Sequence, residues 1–444
     1  MAALAPTPID ADPGIADLIA ARPALSMHAI DGLTLEGVPL NAIADAVGTP
    51  CWVISAGVLR ARLSELQAAM AGVGAHVHYA VKANDHLAVL RVMQAGGAGA
   101  DVVSGGELLR AREAGIAPER IVFSGVGKTV AELCLALETG IAQLNVESAE
   151  ELEMLSATAA AMGRRARIAL RINPDVDAGT HAKIATGRAE DKFGIAMADA
   201  AGLYARAAGL PGVEPVGLAV HIGSQITAMA PYRAAFARTT ELVGSLRASG
   251  LAVQTLDCGG GLGIGYRDEP HGSPKALAGA MGAAFGALGL RLMIEPGRWL
   301  AGPAGLLLAS VVLTKTTGSR RFVVLDAAMN DLLRPSLYDA WHGLAPLSPV
   351  DAVAPTFPAD VVGPVCESGD TFARARELPV LAAHARVAIL DAGAYGSVMS
   401  STYNARPLAA EVMVDGVNWA VIRPRQPVEA LWANELVPDW LAPR

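Results

Sequence analysis

The feature that most constrains this chain is a rhythm between residues 78 and 295, where short apolar runs alternate eight times with helical or loop segments. The runs are His78–Val81, Ala100–Val103, Arg120–Phe123, Gln143–Val146, Arg167–Ile172, Val216–Ile222, Thr255–Cys258 and Leu292–Glu295. Helical patterns lie between them, among them Glu107–Ala114, Val130–Leu137, Ala149–Met162 and Arg233–Ala248. A helix over Val58–Met70, with Ser55 placed to cap it, precedes the set. Such alternation requires parallel crossovers, and eight units is the number that closes a (β/α)8 barrel. A doubly wound open sheet is the alternative. It calls for an early Gly-rich loop and an acidic residue about 20 positions further on, whereas the richest glycine cluster here, Gly259–Gly263, follows the seventh run. The spacing therefore predicts an α/β fold with a closed, TIM-like barrel over residues 55–303.

Beyond Pro303 the pattern changes to short strands, Leu306–Leu313, Arg321–Leu325, Arg386–Leu390, Glu411–Val414 and Asn418–Ile422, separated by Gly, Pro and Asp turns. Residues 28–54 carry further strand-like pieces, so a second, β-rich domain, barrel or sandwich, is expected from 28–54 plus 304–444. Residues 1–27, with Pro6, Pro8 and Pro13, read as a loosely ordered extension with at most a helical turn at Asp17–Ala21. A net charge of −8 argues against a nucleic-acid partner. No apolar run approaches the roughly 20 residues that span a bilayer, and the N-terminus lacks a secretory pattern, so no membrane partner is expected. Cys51, Cys134, Cys258 and Cys366 show neither metal-ligand spacing nor a disulfide framework, which fits a reducing, cytoplasmic setting with no metal.

Barrel enzymes build their sites from loops at the C-terminal ends of the strands, and the polar motifs of this chain fall there. Lys82 follows the first strand within His78-Tyr79-Ala80-Val81-Lys82-Ala83-Asn84. A lone lysine at a strand end is most simply a snorkelling side chain; in a desolvated pocket its ammonium is disfavoured and the amine becomes a nucleophile able to form a Schiff base. Ser104-Gly105-Gly106-Glu107 follows strand two, Arg171-Ile172-Asn173-Pro174 ends strand five and His221-Ile222-Gly223-Ser224 ends strand six. Strand seven leads into Gly259-Gly260-Gly261-Leu262-Gly263, and strand eight into Glu295-Pro296-Gly297-Arg298. Bare glycine N–H groups can wrap a phosphate. With the neighbouring carboxylate they suggest a phosphorylated aromatic cofactor, its phosphate on the glycines and its ring nitrogen against Glu295.

The motifs Tyr79-Ala80-Val81-Lys82-Ala83-Asn84, His221-Ile222-Gly223-Ser224-Gln225, Gly259-Gly260-Gly261-Leu262-Gly263 and Glu295-Pro296-Gly297-Arg298 resemble those of the barrel-fold pyridoxal-phosphate-dependent decarboxylases, most closely those acting on diaminopimelate. The similarity extends over about residues 28 to 440. It implies that Lys82 carries pyridoxal 5'-phosphate covalently and later shuttles protons, and that His221 stacks on its ring. Ser224, Gly260 and Gly261 would serve the phosphate, Gly297 and Arg298 would belong to the cofactor site, and Glu295 would pair with the ring nitrogen. A carboxylate there keeps that nitrogen protonated and the ring a strong electron sink, which favours decarboxylation over racemisation.

In the second domain the resemblance places Arg334 and Tyr338 on the substrate. Arg298 and Arg334 are forked donors suited to the distal carboxylate of a long dicarboxylic amino acid, where an ornithine-type substrate would want an acid. By the same resemblance Cys366 is the acid that protonates the substrate carbon, Glu367 meets the distal ammonium, and Tyr395 reaches cofactor phosphate and substrate. The Cys366 loop would enter the active site of a second subunit, making a homodimer with shared active sites. The implied activity is decarboxylation of meso-2,6-diaminopimelate to L-lysine. Trp299, bulkier than the residue expected after Arg298, keeps a sibling substrate such as carboxynorspermidine open. A non-catalytic cofactor carrier would lack the second domain, and a regulatory homologue would have lost Lys82 or the arginines.

Overall fold

A computed structural model describes residues 12–177 and 192–441 of the chain. They divide into two compact units, one of residues 58–265 and 269–303, the other of residues 12–57, 266–268 and 304–441.

The first unit is a closed parallel barrel. Its strands are β1 (Ala75–Ala80), β2 (Gly99–Val102), β3 (Ile121–Phe123), β4 (Gln143–Val146), β5 (Ala166–Asn173), β6 (Val213–Val220), β7 (Thr255–Asp257) and β8 (Arg291–Ile294). Each pairs in parallel with the next, β8 pairs with β1, and the ladder Leu144↔Ile168 to Val146↔Leu170 joins β4 to β5, so no edge remains. A two-residue strand, Ile195–Ala196, extends the sheet beside the end of β5. The strands fall within a few residues of the sequence expectation. They are buried along their length because a crossover helix covers the outer face while side chains fill the interior.

Three of the strand-to-helix turns share one device. Ser104, Thr129 and Ser148 each accept a hydrogen bond from the backbone N–H three residues on, at Glu107, Glu132 and Glu151. A Ser or Thr with Glu at that spacing satisfies otherwise orphaned helix donors and sets an acid at the positive end of the dipole. Ser55 does not play this part for the helix Ala56–Ala71: its hydroxyl donates to Glu36, and the Glu36 carboxylate accepts the Gly57 N–H at 3.3 Å.

The barrel interior is not wholly apolar. Gln143 and Asn145 on β4, and Thr255 and Asp257 on β7, stand two residues apart and so point the same way. They form a hydrogen-bonded chain: Thr255 Oγ1 donates to Gln143 Oε1 (3.2 Å), Gln143 Nε2 to Asn145 Oδ1 (2.8 Å), and Asn145 Nδ2 to Asp257 Oδ2 (2.9 Å).

The second unit is built on a mostly antiparallel sheet in the order Thr371–Pro379, Thr356–Val362, Arg320–Leu325, Gly305–Thr317, Cys51–Ser55, Ala410–Asp415, Asn418–Arg423. Arg386–Ile389 and Leu344–Pro346 pair beside it. The strands Leu344–Pro346, Thr356–Val362 and Thr371–Pro379 had no sequence signal: Pro346 and Pro358 interrupt two, and Arg374, Arg376 and Glu377 dominate the third. All five residues of Cys51–Ser55 are buried, between one strand from beyond residue 303 and another from near the C-terminus.

The expectation of loose order fails for residues 12–27. A helix, Ile15–Ala20, and a strand, Leu25–His28, lie there. Leu18 is buried in a cluster with Leu33, Leu308, Leu347 and Leu390, and Arg22 Nε donates to Asp391 at 2.8 Å. Asp12 bridges Arg267 (3.2 Å) and Arg376 (3.0 Å). The apolar spacing of Ile15, Leu18 and Ile19 carried this information, but the flanking prolines masked it. Residues 1–11 lie outside the described part.

Candidate active site

The C-terminal ends of the barrel strands gather eight of the expected residues: Lys82, His221, Ser224, Gly260, Gly261, Glu295, Gly297 and Arg298. Lys82 sits in a single 3₁₀ turn, Val81–Ala83, directly after β1. Its Nζ donates to Asp101 Oδ2 on β2 at 2.5 Å. The Asp101 side chain is fully buried, while that of Lys82 keeps about a third of its surface open. The lysine is thus neither snorkelling nor deeply entombed; a buried carboxylate holds it at the mouth.

His221 follows β6. Its Nδ1 accepts the N–H of Gly260 at 3.1 Å, which leaves the ring proton on Nε2 of a neutral imidazole. Desolvation, then the charges of Arg171 and Lys82, push its pKa well below the usual histidine range. The Gly260 N–H is therefore committed to His221 rather than to a phosphate, and its carbonyl accepts from Tyr232 Oη at 3.0 Å. Gly261 has φ +98°, a left-handed conformation that disfavours any side chain, and a Cβ on it would meet the Gly223 carbonyl oxygen at 2.4 Å. Gly297 precedes the short helix Arg298–Ala301. Arg298, buried, aims Nε (3.3 Å) and Nη2 (3.0 Å) at the Ser224 hydroxyl. Hydroxyl and guanidinium beside the glycine turn make a donor set suited to a phosphate.

Glu295 ends β8. Ser124 Oγ donates to its Oε1 at 3.2 Å, and its backbone N–H bonds the Gly259 carbonyl at 2.8 Å. Burial, then the nearby charges of Asp101 and Asp257, raise its pKa well above the carboxylate range, and Asp257 is raised by burial as well. Sequence reasoning gave no role to Asp101, Ser124, Asn145 or Asp257. For Asn145 and Asp257 the signal was polar residues, with Gln143 and Thr255, at alternate positions of strands that should be buried on both faces; Asp101 and Ser124 carried no such pattern.

The remaining residues belong to the β-rich unit. Arg334, buried at the start of the helix Arg334–Tyr338, bonds His342 Nε2 through Nη1 at 2.8 Å, and its guanidinium lies 4.6 Å from the Tyr266 ring centre. It is not a surface arginine. Tyr338 closes that helix, half-buried. Cys366 and Glu367 are exposed on a turn fixed by Asp370, whose carboxylate accepts the N–H groups of Val365 and Met329, both at 2.7 Å. Tyr395 adopts φ +56°, rare for a tyrosine and a mark of an over-determined turn. Trp299 is buried in the barrel unit, with Nε1 donating to Gly272 O at 3.0 Å and the Arg62 guanidinium 3.7 Å over its ring.

The residues fit a pyridoxal cofactor. Lys82 offers an amine for its aldehyde, Glu295 a carboxyl for its ring nitrogen, and Ser224, Arg298 and Gly261 donors for its phosphate. Among the described residues two buried polar atoms, Asp101 Oδ1 and Arg171 Nη2, have no hydrogen-bond partner, as expected where a polar ligand completes a site.

Fold and site together define a pyridoxal-dependent decarboxylase: residues 56–302 match the family model of the pyridoxal-dependent decarboxylase, pyridoxal binding domain. A diaminopimelate decarboxylase of Zymomonas mobilis is 50% identical over 414 residues, covering 92% of this chain and 98% of its own. The crystal structure of the Helicobacter pylori diaminopimelate decarboxylase complexed with L-lysine superposes with a TM-score of 0.86 at 39% identity, covering 88% of this chain and 98% of the other. That of M. jannaschi gives 0.90 at 33% identity, covering 95% and 100%. The chain belongs to the diaminopimelate decarboxylase family. Its cofactor is pyridoxal 5'-phosphate.

Proposed function

We propose that the protein removes the carboxylate at the D-configured carbon of meso-2,6-diaminopimelate and releases carbon dioxide and L-lysine. The observation that carries the chemistry is Lys82, held at the barrel mouth by buried Asp101 among a neutral His221 and the acid Glu295. The substrate follows from the relatives and from the lysine in the Helicobacter pylori complex. When bound, pyridoxal phosphate supplies an electron sink for the pair that the departing carboxylate leaves behind.

The chain's residues prepare for that. Asp101 orients the Lys82 amine and offers a carboxylate oxygen to accept its proton, so that the deprotonated nitrogen can act as nucleophile and later as proton carrier. His221, uncharged, presents a flat ring face without opposing a cationic neighbour. Glu295 holds a proton at the ring nitrogen. Ser224, Arg298 and Gly261 bind the phosphate. In this proposal Arg334 and Tyr338, with Arg298, take the distal carboxylate, Glu367 the distal ammonium, and Tyr395 phosphate and substrate. Cys366 returns a proton to the carbon that lost the carboxylate. Exposure of Cys366 and Glu367 in the single chain supports a loop that serves a partner's site, hence a homodimer. Four free cysteines support a cytoplasmic setting, and among the described residues no helix is long and apolar enough to cross a membrane.

The test is incubation of the cofactor-loaded protein with meso-diaminopimelate, L-ornithine, L-arginine and carboxynorspermidine, with products read by mass spectrometry. Lysine from the first alone is expected, and Lys82→Ala should reduce turnover to background. Product from another substrate, or substantial activity in Lys82→Ala, would overturn the proposal.

A further inference from the structure

We propose that His342 is a positioning residue for the substrate: its ring, locked in one tautomer, aims the guanidinium of Arg334 at the distal carboxylate and so sets the preference for a substrate that carries one. The inference rests on the role given to Arg334 above.

Both residues are buried, His342 2% and Arg334 5% exposed. Their contacts decide which ring nitrogen carries the hydrogen. His342 Nδ1 lies 2.7 Å from the carbonyl oxygen of Leu390, which can only accept, so Nδ1 donates. Nε2 lies 2.8 Å from Arg334 Nη1, which can only donate, so Nε2 accepts. The imidazole is therefore neutral with its hydrogen on Nδ1; the other tautomer, or an imidazolium, would set two hydrogens against each other at Nη1.

The surroundings hold both partners still. The Tyr266 ring centre lies 4.6 Å from the Arg334 guanidinium, and the same ring meets that of His342 edge-on, with centres 5.2 Å apart and planes at 77°. Arg22 Nη2 donates to the Tyr266 carbonyl at 3.2 Å, while its Nε grips Asp391, the residue after Leu390. Arg376 Nη1 donates to the His342 carbonyl at 2.9 Å, with its guanidinium 4.3 Å over the Trp341 ring. Arg334 thus cannot turn about its Nη1 contact without leaving Tyr266, and His342 cannot follow it without losing Leu390.

Histidine suits this place for a chemical reason. A carboxylate there would hold Arg334 as firmly but would also neutralise it and compete with the incoming carboxylate. A neutral imidazole fixes the direction of the guanidinium and leaves its charge undiminished by that contact. A substrate ending in an ammonium gains nothing from a guanidinium so aimed, so the contact bears on discrimination as well as affinity.

The experiment titrates the cofactor-loaded protein by calorimetry with L-lysine and with 1,5-diaminopentane, which is lysine without its carboxylate. In His342→Phe, which keeps a ring but no acceptor, L-lysine should bind about tenfold more weakly while 1,5-diaminopentane changes by less than about twofold. His342→Gln, whose amide can donate to Leu390 and accept from Arg334, should recover most of the loss. Equal weakening of both ligands in His342→Phe would leave His342 a packing residue and overturn the inference. Arg334→Ala separates the two levels. A selective loss of L-lysine there, with none in His342→Phe, overturns the positioning role alone; no selective loss in either variant overturns the reading of Arg334 with it. Should His342→Phe fail to fold, ¹⁵N shifts of the wild-type histidines decide, the His342 signals being those absent from His342→Gln. A neutral ring with its hydrogen on Nδ1 at pH 8 is expected; a hydrogen on Nε2, or a charged ring, would refute the inference.

Discussion

Gly260→Ala is the substitution for which the barrel rim dictates the sharpest outcome. A Cβ at this position would stand 2.0 Å from the carbonyl oxygen of Glu295 and 2.9 Å from its carbon, and tolerable contacts begin at 3.0–3.4 Å, so the two segments must part by about 1 Å. No side-chain rotation relieves this, because the obstacle is backbone. The Glu295 N–H is itself tied to Gly259 O at 2.8 Å, so the displacement carries Glu295 away from Ser124 and strains the Gly260–His221 bond. Overpacking of this kind costs about 1–3 kcal/mol, and a misplacement near 1 Å at reacting groups costs about 100-fold in rate. Urea denaturation and steady-state decarboxylation would show these two costs, and cofactor titration by absorbance a weakened affinity from the displaced Glu295. Gly244→Ala is the control. It lies within the helix Ala230–Ala248, where an added Cβ meets nothing within 4 Å, and should stabilise by about 0.5–1 kcal/mol. Wild-type cofactor affinity and turnover in Gly260→Ala would refute the reasoning about the rim.

Burial pushes the Glu107 carboxyl up to about 7, against the Val103 N–H bond and the Lys82 charge. Its folded value lies above the ordinary 4.5, so the native state binds the extra proton and cofactor-free stability falls as pH rises between those values. Glu107→Gln should match wild type near pH 4 and exceed it by up to about 3 kcal/mol at pH 8; denaturation curves giving the same difference at both pH values would refute the shift. Leu18→Ala should cost about 2–5 kcal/mol by equilibrium unfolding, since it empties a buried site; a cost well below that would restore the view of residues 12–27 as a loose extension.

The barrel was legible because each parallel strand is covered on both faces and so reads as a short, mostly apolar block between helical patterns, as in Val216–Ile222. The motif residues were legible because the strand ends place them on one rim. The interior acids were not. Asp101 stands alone among apolar residues and looks like noise, while the alternation of Gln143 with Asn145 and of Thr255 with Asp257 gains meaning only when β4 and β7 are brought face to face. Thr371–Pro379 was hidden for the opposite reason: an antiparallel strand can carry charge on its open face, and Arg374 and Glu377 are exposed there. The commitment of the Gly260 N–H to His221 also lies beyond sequence, since glycine spacing shows which amides are bare but not where each points.

The fully buried strand Cys51–Ser55 has a consequence for biosynthesis. Its register partner Val414 pairs with Ser55, and everything between, the entire barrel included, must leave the ribosome before that ladder can close. At about 5–20 residues per second the delay is on the order of tens of seconds. The barrel, by contrast, is one continuous stretch apart from the excursion at 266–268, able to close as soon as β8 emerges. The N-terminal strand therefore waits with its apolar edge unpaired while its neighbours are still being made, and a nascent chain of this family is most exposed to aggregation through the segment that ends up best protected.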